Sequence, residues 1–211
     1  MAFDALISAF VTLFVIVDPI GLAPIFLAVT RGMSRAERRR TAIEAALVSF
    51  GVLAGAALIG EWLLENLGIG LPAFRIAGGL LLFVIGFEML FELRQQRKAD
   101  GATDVAQDRQ SGLAIFPMAI PLMAGPGALT AAVLLAGAAE GELIDIAAIL
   151  GVFAVVIAIA FSVFLMAPWL ERVFGAKAQS VLARLLGILL AALAVQFIVD
   201  GIREAFGIAT G

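Results

Sequence analysis

The chain repeats its own first half, and each copy carries an odd number of membrane-length apolar runs. Val17-Asp18-Pro19-Ile20-Gly21-Leu22 interrupts the first run, and Ala124-Gly125-Pro126-Gly127-Ala128-Leu129 interrupts the fourth. At the same offset, Glu61-Trp62-Leu63-Leu64-Glu65-Asn66-Leu67-Gly68 answers Pro168-Trp169-Leu170-Glu171-Arg172-Val173-Phe174-Gly175. A slight drift then brings Arg75-x-x-Gly78 onto Arg184-x-x-Gly187. If each copy crosses a bilayer three times, the second must insert upside down relative to the first. Inverted repeats with a broken helix at the matching place in each half are the pattern of secondary transporters.

The apolar runs fall at about 5–30, 43–63, 71–92, 113–138, 144–168 and 181–206. Each reaches the roughly 20 residues that cross about 30 Å of hydrocarbon. Apolar residues make up 63% of the chain and mean hydropathy is +1.09, well above the roughly 45–50% apolar content of soluble domains. Stretches such as Phe153 to Leu165 lack the polar stripe of a soluble amphipathic helix. The expected fold is therefore an all-α membrane protein of six transmembrane helices. These form two inverted three-helix repeats, over 1–93 and 111–211, with spans 1 and 4 broken. A polar, Gly- and Asp-rich stretch, 94–110, reads as a flexible cytoplasmic linker between them.

Charge gives the expected orientation. Arg31, Arg35, Arg38, Arg39 and Arg40 follow span 1 as a loop; Arg94, Arg97, Lys98 and Arg109 separate spans 3 and 4; Arg172 and Lys177 separate spans 5 and 6. The opposite loops hold Glu61, Glu65, Glu140, Glu142 and Asp145 without Lys or Arg. By the positive-inside rule the three basic loops are cytoplasmic, so the N- and C-termini are expected outside. Arg75 and Arg203 lie near the outer ends of their spans. Trp62 and Trp169 are the interfacial aromatic anchors of a chain that has no tyrosine.

Absences narrow the chemistry. Without histidine or cysteine, imidazole acid–base chemistry, thiol catalysis and the usual zinc or haem sites are excluded. The chain is not read as an enzyme, and no cofactor or metal is expected. No Gly-x-x-x-x-Gly-Lys-Ser/Thr loop is present to drive an ATP pump. A net charge of −3, with the basic residues at membrane ends, makes nucleic acid a poor partner. The partners expected are the lipid bilayer and a small solute; oligomeric state is not legible.

The two breaks are the candidate site. Pro19 lacks an N–H and clashes with the carbonyl four residues back, while Gly21 adds freedom to turn. Pro117, Pro121 and Pro126, with Gly125 and Gly127, do the same in span 4. Non-helical backbone at membrane depth survives only where it is buried in protein or lines a wet cavity. Half-helix N-termini near Ile20 and Gly21, and near Gly127, Ala128 and Leu129, favour an anion. Carbonyls near Val15 to Val17, and at Met123 and Ala124, would receive an ammonium or a cation. Both ends together suit a small zwitterion, and the nearby side chains Ala23, Ala124, Ala128 and Thr130 are small. The substrate-binding candidates are Val17, Asp18, Pro19, Ile20, Gly21, Ala124, Gly125, Pro126, Gly127, Ala128 and Thr130.

Asp18 admits two compatible roles. An acid within a span marks an ion or proton path, which makes it the candidate for a coupling proton or sodium ion. An Asp followed by Pro at the first helical position is also a good N-cap. Other polar residues read more plainly. Arg75 and Arg184 snorkel or bond helix ends, with gating ion pairs as the alternative. Glu44 and Glu88 pair with Arg40 or Arg94, and Gln196 and Ser162 bond between helices. Thr12 and Ser49 satisfy their own helices. Gly51, Gly55, Gly78 and Gly79 permit close helix packing.

Three motifs then carry a resemblance. Asp18-Pro19-Ile20-Gly21-x-x-Pro24-Ile25-Phe26, Phe74-Arg75-Ile76-Ala77-Gly78-Gly79-Leu80-Leu81-Leu82-Phe83, and Phe116-Pro117-x-Ala119-x-Pro121-Leu122-Met123-Ala124-Gly125-Pro126-Gly127-Ala128 resemble the MarC family of bacterial and archaeal inner-membrane proteins. The resemblance runs over essentially the whole chain. It implies six spans, and it implies kinship with SnatA-type transporters of small neutral amino acids such as glycine and alanine. It also implies that substrate meets the segments Val17 to Gly21 and Ala124 to Ala128. The function expected is alternating-access transport of such amino acids. The alternatives are transport of a different small solute, and a non-transporting scaffold or assembly protein in which the breaks only aid packing.

Overall fold

A computed structural model of the chain describes residues 3–91, 93, 123–139 and 142–207, without the side chains of 171, 172 and 174–177. Among the described residues every regular element is an α-helix: α1 (Phe3–Val17), α2 (Pro19–Val29), α3 (Arg35–Asn66), α4 (Leu71–Leu90), α5 (Pro126–Gly137) and α6 (Leu143–Ala205). Five stretches are long and apolar enough to cross a membrane: Phe3–Val29, Arg35–Asn66, Leu71–Leu90, Leu143–Leu170 and Ala178–Ala205. At 12 residues α5 is too short to cross alone, and it supplies the second half of the expected fourth span. The first half of that span, with Pro117 and Pro121, lies outside the described residues. So do the 94–110 linker with its basic residues, Glu140, and the side chains of Arg172 and Lys177.

Helix starts follow from local chemistry. At α3, the Glu37 N–H donates to Ser34 Oγ at 3.2 Å and the Ser34 N–H donates to Glu37 Oε2 at 2.8 Å, a reciprocal capping box. That box starts the helix well before the apolar run. Arg35, Arg38, Arg39 and Arg40 are therefore its first turns rather than a loop, and Arg40 Nε pairs with Glu44 Oε1 one turn on, at 2.7 Å. Gly68, at φ +69°, turns the chain into α4, whose first turn carries Pro72 where a missing N–H costs nothing.

The 63 residues of α6 would make a straight rod of about 95 Å, three bilayers' worth. Its two apolar arms instead lie side by side on the bundle. Trp169 shares a cleft with Arg35 at one end of the molecule, whereas Gly201 lies against Pro72 and Ile76 at the other. The helical path therefore turns back between Leu170 and Ala178, as two spans joined by a short connection would require.

The second arm packs on α4 with almost no spacing. A Cβ at Gly86 would stand 2.8 Å from the Gly187 carbonyl oxygen, and one at Gly79 would stand 2.8 Å from that of Ala194. Small residues let two backbones approach where lipid offers no hydrophobic drive for helices to associate. Gly51 and Gly55 behave differently: among the described residues nothing lies within 4 Å of a Cβ at either, so neither is packed against a described helix. Large apolar side chains such as Leu47, Leu58, Leu80, Val155, Val181 and Leu189 are exposed around the outside, as a lipid-facing surface requires.

Several polar side chains are more local than expected. Ser162 Oγ donates to the Ala158 carbonyl of its own helix at 2.8 Å. Gln196 Nε2 likewise donates to Asp200 Oδ1 one turn away. In a helix these i,i+4 partners are always within reach, so no neighbouring helix is needed. Arg75 does the reverse: it pairs across the bundle with Glu204 at 2.5 Å, tying the start of α4 to the end of α6.

Candidate functional site

The first break is a single residue wide. α1 ends at Val17 and α2 begins at Pro19, and Asp18 between them holds φ 55°, ψ 62°. It is the sole non-glycine residue at positive φ among the described residues. Left-handed backbone costs an L-residue roughly 1–2 kcal/mol, least for Asp and Asn. Pro19 makes the alternative worse, since a residue before proline is disfavoured in the right-handed helical region.

The carboxylate offsets part of that cost. Asp18 Oδ1 accepts the Gly21 N–H at 3.0 Å, and the Asp18 carbonyl accepts the Leu22 N–H at 3.0 Å. The Asp18 N–H still donates to the Phe14 carbonyl at 2.9 Å, so α1 stays closed up to the break. Asp18 is 3% exposed and its neighbours Val17, Pro19 and Gly21 are buried, with Ile20 half-buried. The capping geometry is thus present, with the carboxyl group at the positive end of α2.

The second break has the same proline and no such cap. Gly125 precedes α5 in extended conformation, with φ −70° and ψ 174°, and among the described residues no side chain caps the helix. Pro126 has no N–H, and the first helical bond is Leu129 N–H to the Gly125 carbonyl at 3.0 Å. The N–H groups of Gly127 and Ala128, on buried residues, have no acceptor among the described residues. Buried N–H groups are almost always paired with protein, water or a ligand. Gly125 is half-buried and Pro126 exposed.

The two breaks meet through α1 and α5. A Cβ at Gly127 would stand 2.5 Å from Ile85 Cδ1, 3.3 Å from Leu82 Cδ2 and 3.5 Å from Ile16 Cγ2. The last turn of α1 and the first turn of α5 are therefore neighbours, with α4 closing the third side. From this junction the half-helices part. α2 runs toward the arginine-bearing end, where Leu27 and Ala28 share a cleft with Arg31 and Arg38. α5 runs the other way, until Gly137 meets Leu71.

Of the sequence candidates, Val17, Asp18, Pro19, Gly21, Ala124, Gly127, Ala128 and Thr130 are buried around this junction. Thr130 turns its methyl group onto Gly78 of α4. Ile16, Leu82 and Ile85, which form the wall, were not singled out from sequence; aliphatic residues inside apolar runs carry no local signal of the face they occupy. The same holds for Phe26 and Phe164, whose rings stack with centroids 4.5 Å apart and planes 2° apart, locking α2 to the first arm of α6.

Comparison with known proteins agrees with the motifs. The family model described as MarC family integral membrane protein matches residues 3–206. A UPF0056 membrane protein of Archaeoglobus fulgidus is 33% identical over 201 residues, covering 93% of this chain and 92% of its own. The UPF0056 membrane protein YhcE of Escherichia coli K12 is 33% identical over 211 residues, covering 97% and 94%. YvbG of Bacillus subtilis, also a UPF0056 membrane protein, is 31% identical over the full length of both chains. No solved structure matches. The chain belongs to the MarC family and is a multi-pass integral membrane protein.

Proposed function

We propose that this MarC-family protein is a secondary transporter that moves small neutral amino acids, of the glycine and alanine class, by alternating access. The observation that carries the reading is the bare N-terminus of α5: two N–H donors on the buried residues Gly127 and Ala128, at a helix-dipole positive end, within the bundle. A substrate carboxylate suits those donors. The charge of Asp18 and the C-terminal carbonyls of α1 suit its ammonium group. Ile16, Leu82 and Ile85 stand so close to Gly127 that only a small side chain fits beside the backbone.

The binding mode is asymmetric. The α2 N-terminus already holds the Asp18 carboxylate, so an anionic substrate group belongs to α5 alone. Opposite running of α2 and α5 from a common junction is what two inverted repeats would produce. On this reading the protein lies in the inner membrane with its arginine-bearing end in the cytoplasm and both termini outside. Asp18 is the candidate for coupling to protons or sodium. A scaffold role is favoured by one observation, the close fit around Gly127, which packing alone could explain.

The test is uptake of radiolabelled glycine and alanine into proteoliposomes under imposed proton or sodium gradients. Wild type should accumulate both. Gly127→Leu drives a side chain into Ile85 and Ile16 and should reduce uptake at least ~10-fold, with an overpacking cost of about 1–3 kcal/mol in stability. Asp18→Asn keeps the cap and removes the charge, so loss of gradient dependence in that variant assigns coupling to the carboxylate. Folded wild-type protein that takes up neither amino acid under any gradient would overturn the amino-acid reading.

A further inference from the structure

The arginine-bearing end of the molecule holds a feature unrelated to the two breaks. Arg35, Arg38 and Arg39 line a cleft of about 390 Å³ against Met166, Pro168 and Trp169 of α6. Directly along the same two helices, Ile43, Leu47 and Phe50 face Ala154, Ala158 and Phe161 across an apolar groove of about 300 Å³. The residues follow one another at helical spacing on one face of α3, and in reverse order on α6. The cleft and the groove are therefore one continuous seam, cationic at the end of the bundle and greasy toward its middle.

Among the described residues no acidic side chain lines the cleft. Glu37 is engaged with Ser34 in the capping box, and Glu44 binds Arg40. Arg38 Nε is buried and has no acceptor among the described residues. Arg38 also lines the adjoining cleft of about 400 Å³ with Arg31, so one guanidinium connects two cationic surfaces. Guanidinium groups in this density match the bidentate geometry of phosphate oxygens. Trp169 stands half-exposed at the rim, where an indole ring prefers the headgroup level of a bilayer.

We infer that the α3–α6 seam binds an anionic phospholipid, with its phosphate in the Arg35–Arg38–Arg39 cleft and an acyl chain along the Ile43–Phe50 and Ala154–Phe161 groove. Free phosphate has no use for the groove, and a neutral lipid has no use for the arginines; the two halves together select a lipid that carries net negative charge. Basic pockets between spanning helices are known to take such headgroups.

Native mass spectrometry of the full chain in detergent, titrated with dioleoyl phosphatidylglycerol, tests this. Wild type should retain one phosphatidylglycerol in preference to dioleoyl phosphatidylcholine. The triple variant Arg35→Gln, Arg38→Gln, Arg39→Gln should lose affinity by on the order of 100-fold. Ala158→Phe leaves every charge in place and fills the groove, so it should weaken retention of phosphatidylglycerol while the protein stays folded. Equal retention of phosphatidylcholine would overturn the inference. So would competition by millimolar inorganic phosphate as effective as that by the lipid. An Ala158→Phe protein that binds as wild type would reduce the seam to a basic surface and overturn it as well.

Discussion

The two helix breaks share a proline and a flanking glycine, yet one is filled and the other is open. At Asp18 the chain supplies its own carboxyl group, held in strained backbone, to the N-terminus it exposes. At Gly125 the backbone is relaxed and the N-terminus has no side-chain partner among the described residues. Equivalent sequence positions thus differ: one helix start is capped by a carboxyl group, and the other presents N–H donors with no acceptor among the described residues. On the transport reading, two unlike helix starts at one junction suit a molecule whose own ends differ.

The comparison breaks most readily at Asp18. Asp18→Ala loses the cap and places a residue without a local hydrogen-bonding group in left-handed backbone, which together should cost about 2–3 kcal/mol. Asp18→Gly loses the cap and relieves the backbone, so its cost should be under about 1 kcal/mol. Asp18→Asn keeps both the cap and the tolerance of left-handed backbone and should unfold within about 0.5 kcal/mol of wild type. Unfolding in detergent, followed by circular dichroism, reads this order. If Ala and Gly were equally destabilising, backbone strain would have no part in the break.

A glycine close to each proline sharpens the contrast further, although Gly21 matches Ala128 and Gly127 matches Ile20 in the repeat. A methyl group at Gly21 would collide with the Asp18 carboxylate, so Gly21→Ala must expel the cap and should cost about 1–2 kcal/mol. Gly127→Ala meets Ile85 Cδ1, the far end of a side chain that can rotate away, and should cost less than about 1 kcal/mol. The same unfolding measurement decides; a larger loss at Gly127 would reverse the assignment of which break is rigidly filled.

The smallest effect is the most diagnostic. Gly125 has the extended backbone of an ordinary N-cap, so Gly125→Ser should supply the missing acceptor and stabilise α5 by about 0.5 kcal/mol. On the transport reading it should also raise the apparent KM for glycine, because the hydroxyl competes for the donors the substrate carboxylate uses. A more stable protein with unchanged KM would detach the α5 terminus from substrate binding.

Much of the architecture was legible because it rests on residues with strong backbone effects. Pro19, Gly21, Pro126 and Gly127 mark breaks whatever surrounds them, and the long apolar runs mark spans by length alone. Direction of side chains was less legible. Gly51 and Gly78 look alike in sequence, but among the described residues nothing packs against the first, whereas the second meets Thr130 of α5. Arg75 could not be matched to Glu204 without knowing that α4 and the second arm of α6 run side by side. The capping box at Ser34 and Glu37 was readable in principle, as Ser-x-x-Glu ahead of an apolar run. Weighing the arginines only as topology markers concealed the turns of helix they form.

The one-residue joint at Asp18 has a mechanical consequence. An elbow with two torsion angles can straighten only if that residue enters right-handed helical backbone, and Pro19 disfavours that move. With its inner side braced by the carboxylate and the hydrogen bonds on both flanks intact, the bend is a bracket rather than a spring. Any motion that exposes the junction first to one face of the membrane and then to the other must carry α1 and α2 together as a single bent lever. The sliding surfaces are then to be sought where α1 and α2 meet their neighbours, away from the Phe26–Phe164 stack that holds α2 to the first arm of α6.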